Sequence, residues 1–219
     1  MKKKKTDFSN VTKKLSSHYD TLVKKYGSSV RSSQQSNRKT RDRRLFNLLK
    51  YVDLKKKTSI LDFGCGTGYL FDYLKIQKFK GSYLGIDISS EAIKKAKLLN
   101  KKNKNCSFKK INIFKETIDK NYDYIIINGT FNNNTKNNWL WMKKSLKILI
   151  KIANKKIIFN NLSIFVDYFD KRLFYINPTK VFNFVKKELD KKCIIDHSYN
   201  LKKNILTYEF TTVVINKND

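Results

Sequence analysis

Residues 58–70 read Thr-Ser-Ile-Leu-Asp-Phe-Gly-Cys-Gly-Thr-Gly-Tyr-Leu. The short apolar run predicts a buried strand, and the glycines that follow it, Gly64, Gly66 and Gly68, predict a turn into a helix. A turn without Cβ atoms lets the backbone approach a ligand, and the first N–H groups of the next helix are free to bind one. This stretch therefore predicts a strand, a ligand-binding turn and a helix in succession.

A second apolar run, which follows the glycine turn, ends in an acidic residue. Residues 83–87 read Tyr-Leu-Gly-Ile-Asp, so Asp87 follows Gly68 by 19 residues. A carboxylate at the end of this second strand accepts hydrogen bonds from ribose hydroxyls in nucleotide-binding folds. The two runs together predict one site for a nucleotide-like ligand. The alternative is a glycine turn that serves only the packing of helix against strand.

These residues resemble the class I S-adenosylmethionine (SAM) dependent methyltransferases, whose first motif is an acid followed by Gly-x-Gly-x-Gly. Asp62 stands at the acid position. The dinucleotide-binding fingerprint is Gly-x-Gly-x-x-Gly, one residue longer, and Tyr69 stands where its last glycine would be. The spacing therefore favours SAM over a nicotinamide cofactor. The resemblance covers roughly residues 40–160 as a series of motifs and continues more weakly to the C-terminus.

The resemblance also implies which residues bind the cofactor. Asn112 would hydrogen-bond the adenine amino group, unless it only caps a turn, and Asn128 with Gly129 would lie near the sulfonium. Arg44 or Arg41, at the start of the second helix, would pair with the cofactor carboxylate, unless these residues belong to a solvated basic face. The implied cofactor-binding set is Arg44, Asp62, Gly64, Cys65, Gly66, Gly68, Asp87, Ile88, Asn112, Ile113, Asn128 and Gly129.

The fourth motif bears on the methyl acceptor. Residues 128–132 read Asn-Gly-Thr-Phe-Asn, whereas methyltransferases acting on exocyclic amines of DNA bases or on glutamine carry Asn/Asp-Pro-Pro-aromatic there. We expect transfer to an O or N nucleophile of a small metabolite, for which a sugar or a lipid intermediate is one possibility. Only a protonated hydroxyl acceptor needs a general base. The candidates are His18, His197, Asp167 and Asp170, of which His18 and Asp167 are the predicted catalytic residues. For His197, within a strand pattern, a structural role is favoured.

The chain is strongly basic, with 48 Lys and Arg against 18 Asp and Glu and a net charge of +30. Such a charge is typical of proteins that bind nucleic acid. The lysines are nevertheless spread over every segment, and Asn and Ile are also abundant, as an A+T-rich coding sequence produces. We interpret the charge as compositional, so that nucleic acid is a possible but less favoured partner, and an acidic or phosphorylated small substrate is less favoured still. An RNA methyltransferase that uses the basic surface and a SAM-binding protein without turnover remain alternatives.

Length and pattern predict a basic tail at residues 1–7 and one methyltransferase domain at 8–219. Its helical cap spans 8–56, with helices at 8–26 and 40–52 and a mobile polar loop at 28–37, and its Rossmann-like core spans 57–219. The predicted core strands are 58–63, 82–87, 106–112, 122–128 and 155–160, and the helices are 67–76, 90–100, 137–153 and, from Asn177-Pro178, up to Leu189.

This alternation of strand and helix predicts an α/β fold with a doubly wound, mostly parallel sheet. The resemblance implies seven strands, N-terminal helices that cover the site, and an antiparallel C-terminal hairpin formed by Cys193–His197 and Ile205–Ile215.

Other classes of protein are disfavoured. No run of about 18 apolar residues is present, and no apolar stretch follows Met1–Lys5 as in a signal peptide. The three cysteines lie far apart without Cys-x-x-Cys spacing, so neither a zinc site nor a disulfide framework is expected. We expect a cytoplasmic protein with no membrane span and no metal.

Overall fold

The computed structural model describes residues 8–202 and 208–216, which form eight strands and six α-helices. The strands are β1 Ser59–Phe63, β2 Ser82–Asp87, β3 Cys106–Lys110, β4 Tyr122–Ile127, β5 Ala153–Ser163, β6 Tyr175–Ile176, β7 Lys192–Asp196 and β8 Glu209–Ile215. The helices are α1 Ser9–Tyr26, α2 Arg38–Leu49, α3 Tyr69–Ile76, α4 Ser90–Leu99, α5 Asn138–Leu149 and α6 Pro178–Phe184, which continues as a π-helical segment over Val185–Leu189. Short 3₁₀ segments cover Val30–Ser33 and Ile150–Ile152.

The strands form one mixed sheet in the order β3-β2-β1-β4-β5-β8-β7, and the short β6 pairs with β5 off this path. The strands from β3 to β5 run parallel to one another, whereas β8 is antiparallel to both β5 and β7. The predicted doubly wound, mostly parallel sheet with an antiparallel C-terminal pair is therefore confirmed; its main path has the predicted seven strands, and the short β6 is an eighth. The chain leaves β1 towards β3 and returns to β4 on the other side of β1, which creates a switch point where such sheets bind ligands.

Consecutive residues of the central strands point to opposite faces of the sheet, and each face is covered by helices. Leu61, Ile125 and Ile157 pack on one face with α5 and α6. The adjacent strand residues Ile60, Ile126 and Ile158 are completely buried on the other face, where they pack with α2, α3 and α4. Burial of both faces explains why these strands read as continuous apolar runs.

Helix α1 lies across the carboxyl end of β2 and the start of α4. The side chain of Asp20 accepts hydrogen bonds from Ser89 Oγ at 2.6 Å and from the Glu91 backbone N–H at 3.0 Å. Ser16 Oγ donates to the carbonyl oxygen of Ile88 at 2.9 Å. These polar contacts fix α1 above the sheet edge where the glycine turn lies, as expected for a helix that covers the site.

Most element boundaries lie within a few residues of the predicted ones. Asn177 caps α6 by accepting from the Thr179 N–H at 2.9 Å, with Pro178 as the first helical residue, as the Asn-Pro pair predicts. The helix predicted to end at 153 changes to a 3₁₀ segment after Leu149, and β5 extends to Ser163 instead of residue 160. The segment predicted as a loop at 28–37 contains the 3₁₀ segment Val30–Ser33.

Two expectations fall partly or wholly outside the described residues. The basic tail at 1–7 is one, and the predicted start of the last strand at Ile205 is the other; the described part of that strand begins at Glu209. Within residues 8–202 and 208–216, no helix has the length and apolar character that a membrane crossing requires. The same part of the chain has no group of three or more His, Cys, Asp and Glu side chains that could hold a metal ion.

Candidate active site

A cavity of about 320 Å³ lies at the carboxyl ends of β1, β2, β4 and β5. Its roof is formed by α1 and by the segment that contains the 3₁₀ turn Val30–Ser33. The roof residues are Leu15, Tyr19, Val23, Ser32, Ser33, Gln34 and Gln35. The floor comes from the strand ends and includes Phe63, Gly64, Gly66, Thr67, Asp87, Ile88, Asn128, Gly129, Thr130 and Leu162. Residues of the N-terminal segment and of the strand ends, which are far apart in the sequence, thus meet in one site.

The glycine turn after β1 forms one wall of the cavity. Gly66 has a φ of 53°, in the region that favours glycine, and a Cβ added there would meet no atom within 4 Å. At Gly64 the missing side chain makes room for another part of the protein, because a Cβ there would lie 2.3 Å from Thr130 Oγ1. Thr130 in turn donates from that oxygen to the carbonyl of Phe63 at 2.9 Å. Gly66 therefore leaves space for a ligand, while Gly64 allows the β4 turn to approach the β1 turn.

Asp87 lies beside this turn, as predicted. Its Oδ2 accepts from the Gly66 N–H at 2.8 Å and its Oδ1 accepts from the Ser89 N–H at 2.8 Å. Burial raises the pKa of Asp87 above its usual range, against the lowering effect of these backbone hydrogen bonds. Each carboxylate oxygen can accept a further hydrogen bond. Asp87 is thus held with both oxygens fixed at the edge of the cavity, where two neighbouring hydroxyls could donate to it.

Asp62 and Cys65 lie behind the turn and are not among the described residues that line the cavity. Asp62 accepts from the Tyr83 hydroxyl at 2.6 Å, and burial raises its pKa to about 7 despite that hydrogen bond. Cys65 is buried against β2, where a Cβ on Gly85 would come within 2.9 Å of its Sγ. Both side chains support the turn from below, and direct contact with a cofactor stays a prediction.

Asn112 lies in the turn after β3 and lines a separate surface depression that it shares with Thr12. Its Oδ1 accepts from the Phe114 N–H at 3.1 Å, which is the turn-capping alternative weighed above. Its neighbour Ile113 is buried in the core, and Ile111 lines the cavity instead. A role of Asn112 in adenine binding stays a prediction, and this geometry favours the capping role.

The two candidate catalytic residues are not brought together. His18 is exposed on α1, with its Nε2 3.2 Å from Gln34 Oε1, at the outer rim of the roof. Asp167 is exposed in the loop between β5 and β6, and neither residue lines the cavity. Tyr19, next to His18, does line it and accepts from Asn133 Nδ2 at 2.9 Å. Tyr19 is therefore a site residue, although it is not among the site residues predicted from the sequence.

A buried polar network forms the opposite side of the cavity. Arg44 Nε donates to Glu209 Oε2 at 2.7 Å, and these side chains are 13% and 1% exposed. Glu209 Oε1 accepts from Asn160 Nδ2 at 2.7 Å, and Asn160 Oδ1 accepts from the Gly129 N–H at 2.6 Å. Asn160 Nδ2 also lies 3.3 Å from Asn128 Oδ1. The network therefore ties α2, β8 and β5 to the turn after β4.

The charges within this network compensate each other. Burial acts to lower the pKa of Arg44, but the charge and hydrogen bond of Glu209 outweigh it, so the pKa lies above its ordinary value. Arg44 also donates from Nη1 to Gln35 Oε1 at 3.0 Å and lines the cavity. Glu209 already neutralises the Arg44 guanidinium. Pairing of Arg44 with a cofactor carboxylate stays a prediction.

Comparison with known proteins agrees with this architecture. A family model described as "Methyltransferase domain" matches residues 54–204. The protein named "Putative methyltransferase Rv1506c" from Mycobacterium tuberculosis is 32% identical over 172 residues, which are 76% of this chain and 98% of that protein.

Solved structures share the fold. Magnesium protoporphyrin IX methyltransferase (ChlM) from Synechocystis PCC 6803 with bound SAH matches with a TM-score of 0.66 and 14% identity, covering 96% of this chain and 100% of the other. A DhpI–SAM–HEP complex matches with a TM-score of 0.68 and 13% identity, covering 95% of this chain and 99% of the other.

The buried pair predicts a large loss of stability when one partner is neutralised. Glu209→Gln leaves Arg44 charged, buried and without its counter-ion, so we expect the free energy of unfolding to fall by about 3–5 kcal/mol. Urea unfolding measures it. The matched control is Glu91→Gln, which breaks the ion pair of Glu91 with Lys94, a lysine whose side chain is 73% exposed. We expect this control to lower the free energy of unfolding by only about 0–1 kcal/mol. Equal effects of the two substitutions would contradict the structural role given to Glu209.

The glycine turn generates a second prediction. Gly66→Val places a β-branched side chain at positive φ and directs it into the space reserved for a ligand, so we expect loss of SAM binding in calorimetric titration. Gly27→Val is the control, because Gly27 has a similar φ of 59°, also has no atom within 4 Å of an added Cβ, and does not line the cavity. We expect Gly27→Val to retain SAM binding; its loss there would mean that backbone strain alone explains the Gly66 result.

Proposed function

The chain belongs to the class I SAM-dependent methyltransferases, and we propose that it methylates an O or N nucleophile of a small metabolite. The observation that carries the proposal is the covered cavity at the switch point of the sheet. Its floor comes from strand ends and its roof from α1 and the segment around Val30–Ser33. A site enclosed on both sides is suited to a compact acceptor.

One end of the cavity fits SAM. The space above Gly66 is open, with no atom within 4 Å of an added Cβ, and Asp87 would present two fixed carboxylate oxygens to the ribose hydroxyls of SAM. Ile88 lines the cavity next to Asp87 and offers an apolar contact to the adenine ring. When bound, SAM would supply an activated methyl group, because its positively charged sulfur can depart as a neutral thioether.

The other residues of the site would position the acceptor and exclude water. Asn128 and Gly129 line the cavity at the end of β4, and the hydrogen bond from the Gly129 N–H to Asn160 restricts that turn. A fixed turn supports alignment of a nucleophile with the methyl group, which is the main requirement of this reaction.

Tyr19 is suited to donate a hydrogen bond rather than to accept a proton. Burial, together with the charge of Asp87, raises the pKa of Tyr19 to about 12, although its hydrogen bond with Asn133 acts in the opposite direction. Its hydroxyl therefore stays protonated at neutral pH. Tyr19 also joins the roof to the floor, because Asn133 belongs to the segment after β4.

Removal of the ribose partner tests the cofactor end. Asp87→Ala eliminates two charge-assisted hydrogen bonds, so we expect SAM binding to weaken by roughly 2–3 kcal/mol, about 30- to 150-fold in Kd. Calorimetric titration measures it, with thermal unfolding to verify that the variant is folded. Asp119→Ala removes an exposed acid outside the cavity lining and is expected to leave the Kd unchanged. An unchanged Kd for Asp87→Ala would contradict this placement of the ribose.

The acceptor class requires a transfer assay. SAM with a labelled methyl group is offered with total RNA and with a deproteinised metabolite extract in parallel, at about 150 mM salt, where exposed charges are screened beyond roughly 8 Å. We expect label in a small metabolite. Neutralising Lys101, Lys102 and Lys104 together is the control and should leave this transfer unchanged. Label in a discrete RNA species would overturn the proposal, and SAM binding without any transfer would do so as well.

A further inference from the structure

The loop between β5 and β6 exposes three large aromatic side chains. Phe165, Tyr168 and Phe169 are 58%, 76% and 52% exposed. Single exposed apolar residues are common on protein surfaces, whereas three exposed aromatic residues within five positions are unusual and indicate a binding surface. We call residues 164–174 the aromatic loop.

The aromatic loop is continuous with the wall of the cavity. The ring of Phe169 lies 4.9 Å from the ring of Tyr175, at an interplanar angle of 70°, which is a favourable edge-to-face contact. Tyr175 lines the cavity together with Leu162 and Leu173. An apolar surface therefore extends from inside the cavity across Tyr175 to the exposed face of the loop.

Backbone hydrogen bonds hold the loop against the turn that follows β4. The Phe174 N–H donates to the carbonyl of Asn132 at 2.7 Å, and the Asn134 N–H donates to the carbonyl of Arg172 at 2.8 Å. The same turn carries Asn128 and Gly129 at the floor of the cavity. The C-terminal part of the aromatic loop, next to Tyr175, is thus held beside the place where the methyl acceptor would react.

We infer that the methyl acceptor is an amphipathic small molecule, whose O or N nucleophile enters the cavity while its aromatic or other apolar body lies on Tyr175 and the aromatic loop. This inference rests on the proposed function and specifies its substrate. The cofactor end is built from backbone and one carboxylate, whereas the wall nearest the loop is apolar and aromatic. Continuity of that wall with the exposed rings selects the acceptor as the occupant of the surface.

The chemical step needs nothing from the loop beyond binding. A lone pair of the acceptor forms the new bond to the methyl carbon, the carbon–sulfur bond breaks, and its electrons pass to the sulfur, which becomes a neutral thioether. An amine acceptor loses its proton to bulk water after the transfer, whereas a hydroxyl acceptor gives its proton to a general base, which the loop need not supply. Binding energy gained by the apolar body orients the nucleophile, so loss of the rings should affect use of the acceptor and spare the cofactor.

The test combines a partition of the labelled product with a matched pair of variants. A metabolite extract is methylated with labelled SAM, and the product is divided between an organic solvent and water. We expect label in the organic phase. We also expect the double variant Tyr168→Ser/Phe169→Ser to need about tenfold more extract for half-maximal rate, with the Kd for SAM unchanged. Phe165→Ser is an independent second variant with the same expected direction.

Phe46→Ser is the control, because Phe46 is 61% exposed on α2 and does not line the cavity. We expect it to change neither quantity. Label confined to the aqueous phase, or a double variant that behaves as the wild type, would overturn the inference and leave the proposed function intact. A double variant that only converts a dimer into a monomer in sedimentation would assign the surface to a second copy and overturn it too. Label in RNA, or no transfer at all, would overturn both proposals together.

Discussion

The hydrogen bond from the Gly66 N–H to Asp87 Oδ2 is the interaction on which the cofactor end depends. It joins the turn after β1 to the end of β2, and the N–H groups of Gly64 and Cys65 reinforce this junction by donating to the Ile86 carbonyl at 2.8 and 3.0 Å. The parallel register, with Phe63 opposite Ile86, brings these groups to the same edge of the sheet. A shift by one residue would reverse the direction of every side chain in the strand and separate Asp87 from the turn.

The opposite side of the cavity depends on side chains rather than on backbone. Burying Arg44 and Glu209 carries a desolvation cost that their mutual attraction offsets only when the remaining hydrogen-bonding groups are also satisfied. Asn160 meets that condition for Glu209, and Gln35 accepts from Arg44. The result is a rigid connection between α2, which belongs to the N-terminal cap, and the turn after β4. Such a connection makes the cap part of the active site instead of an independent lid.

The sequence predicted what local patterns encode. The glycine turn, Asp87 and the alternation of apolar strands and helices each lie within one short segment, and the structure brings Gly66, Asp87, Asn128 and Gly129 to one cavity as expected. Glu209 was missed because its partner Arg44 is 165 residues away, although an acid inside the apolar pattern of a strand is itself a signal. The two-residue β6 is too short to leave any alternation in the sequence. His18 was selected by residue type, but the helix directs its neighbour Tyr19 to the cavity.

One side of the cavity is built from backbone groups of a local turn and the other from side chains of distant segments. This difference explains why the cofactor can be identified from the sequence more readily than the acceptor. A cofactor bound by backbone groups requires glycines at fixed spacing, and that requirement is visible in thirteen consecutive residues, 58–70. The wall that we propose for the acceptor combines Leu162 from β5, Tyr175 from β6 and Tyr208 next to β8, which no local spacing connects. Only the folded chain brings these residues together and places them next to the aromatic loop. Under our proposal, changes in the aromatic loop would alter the acceptor without any change in the sheet that holds the cofactor.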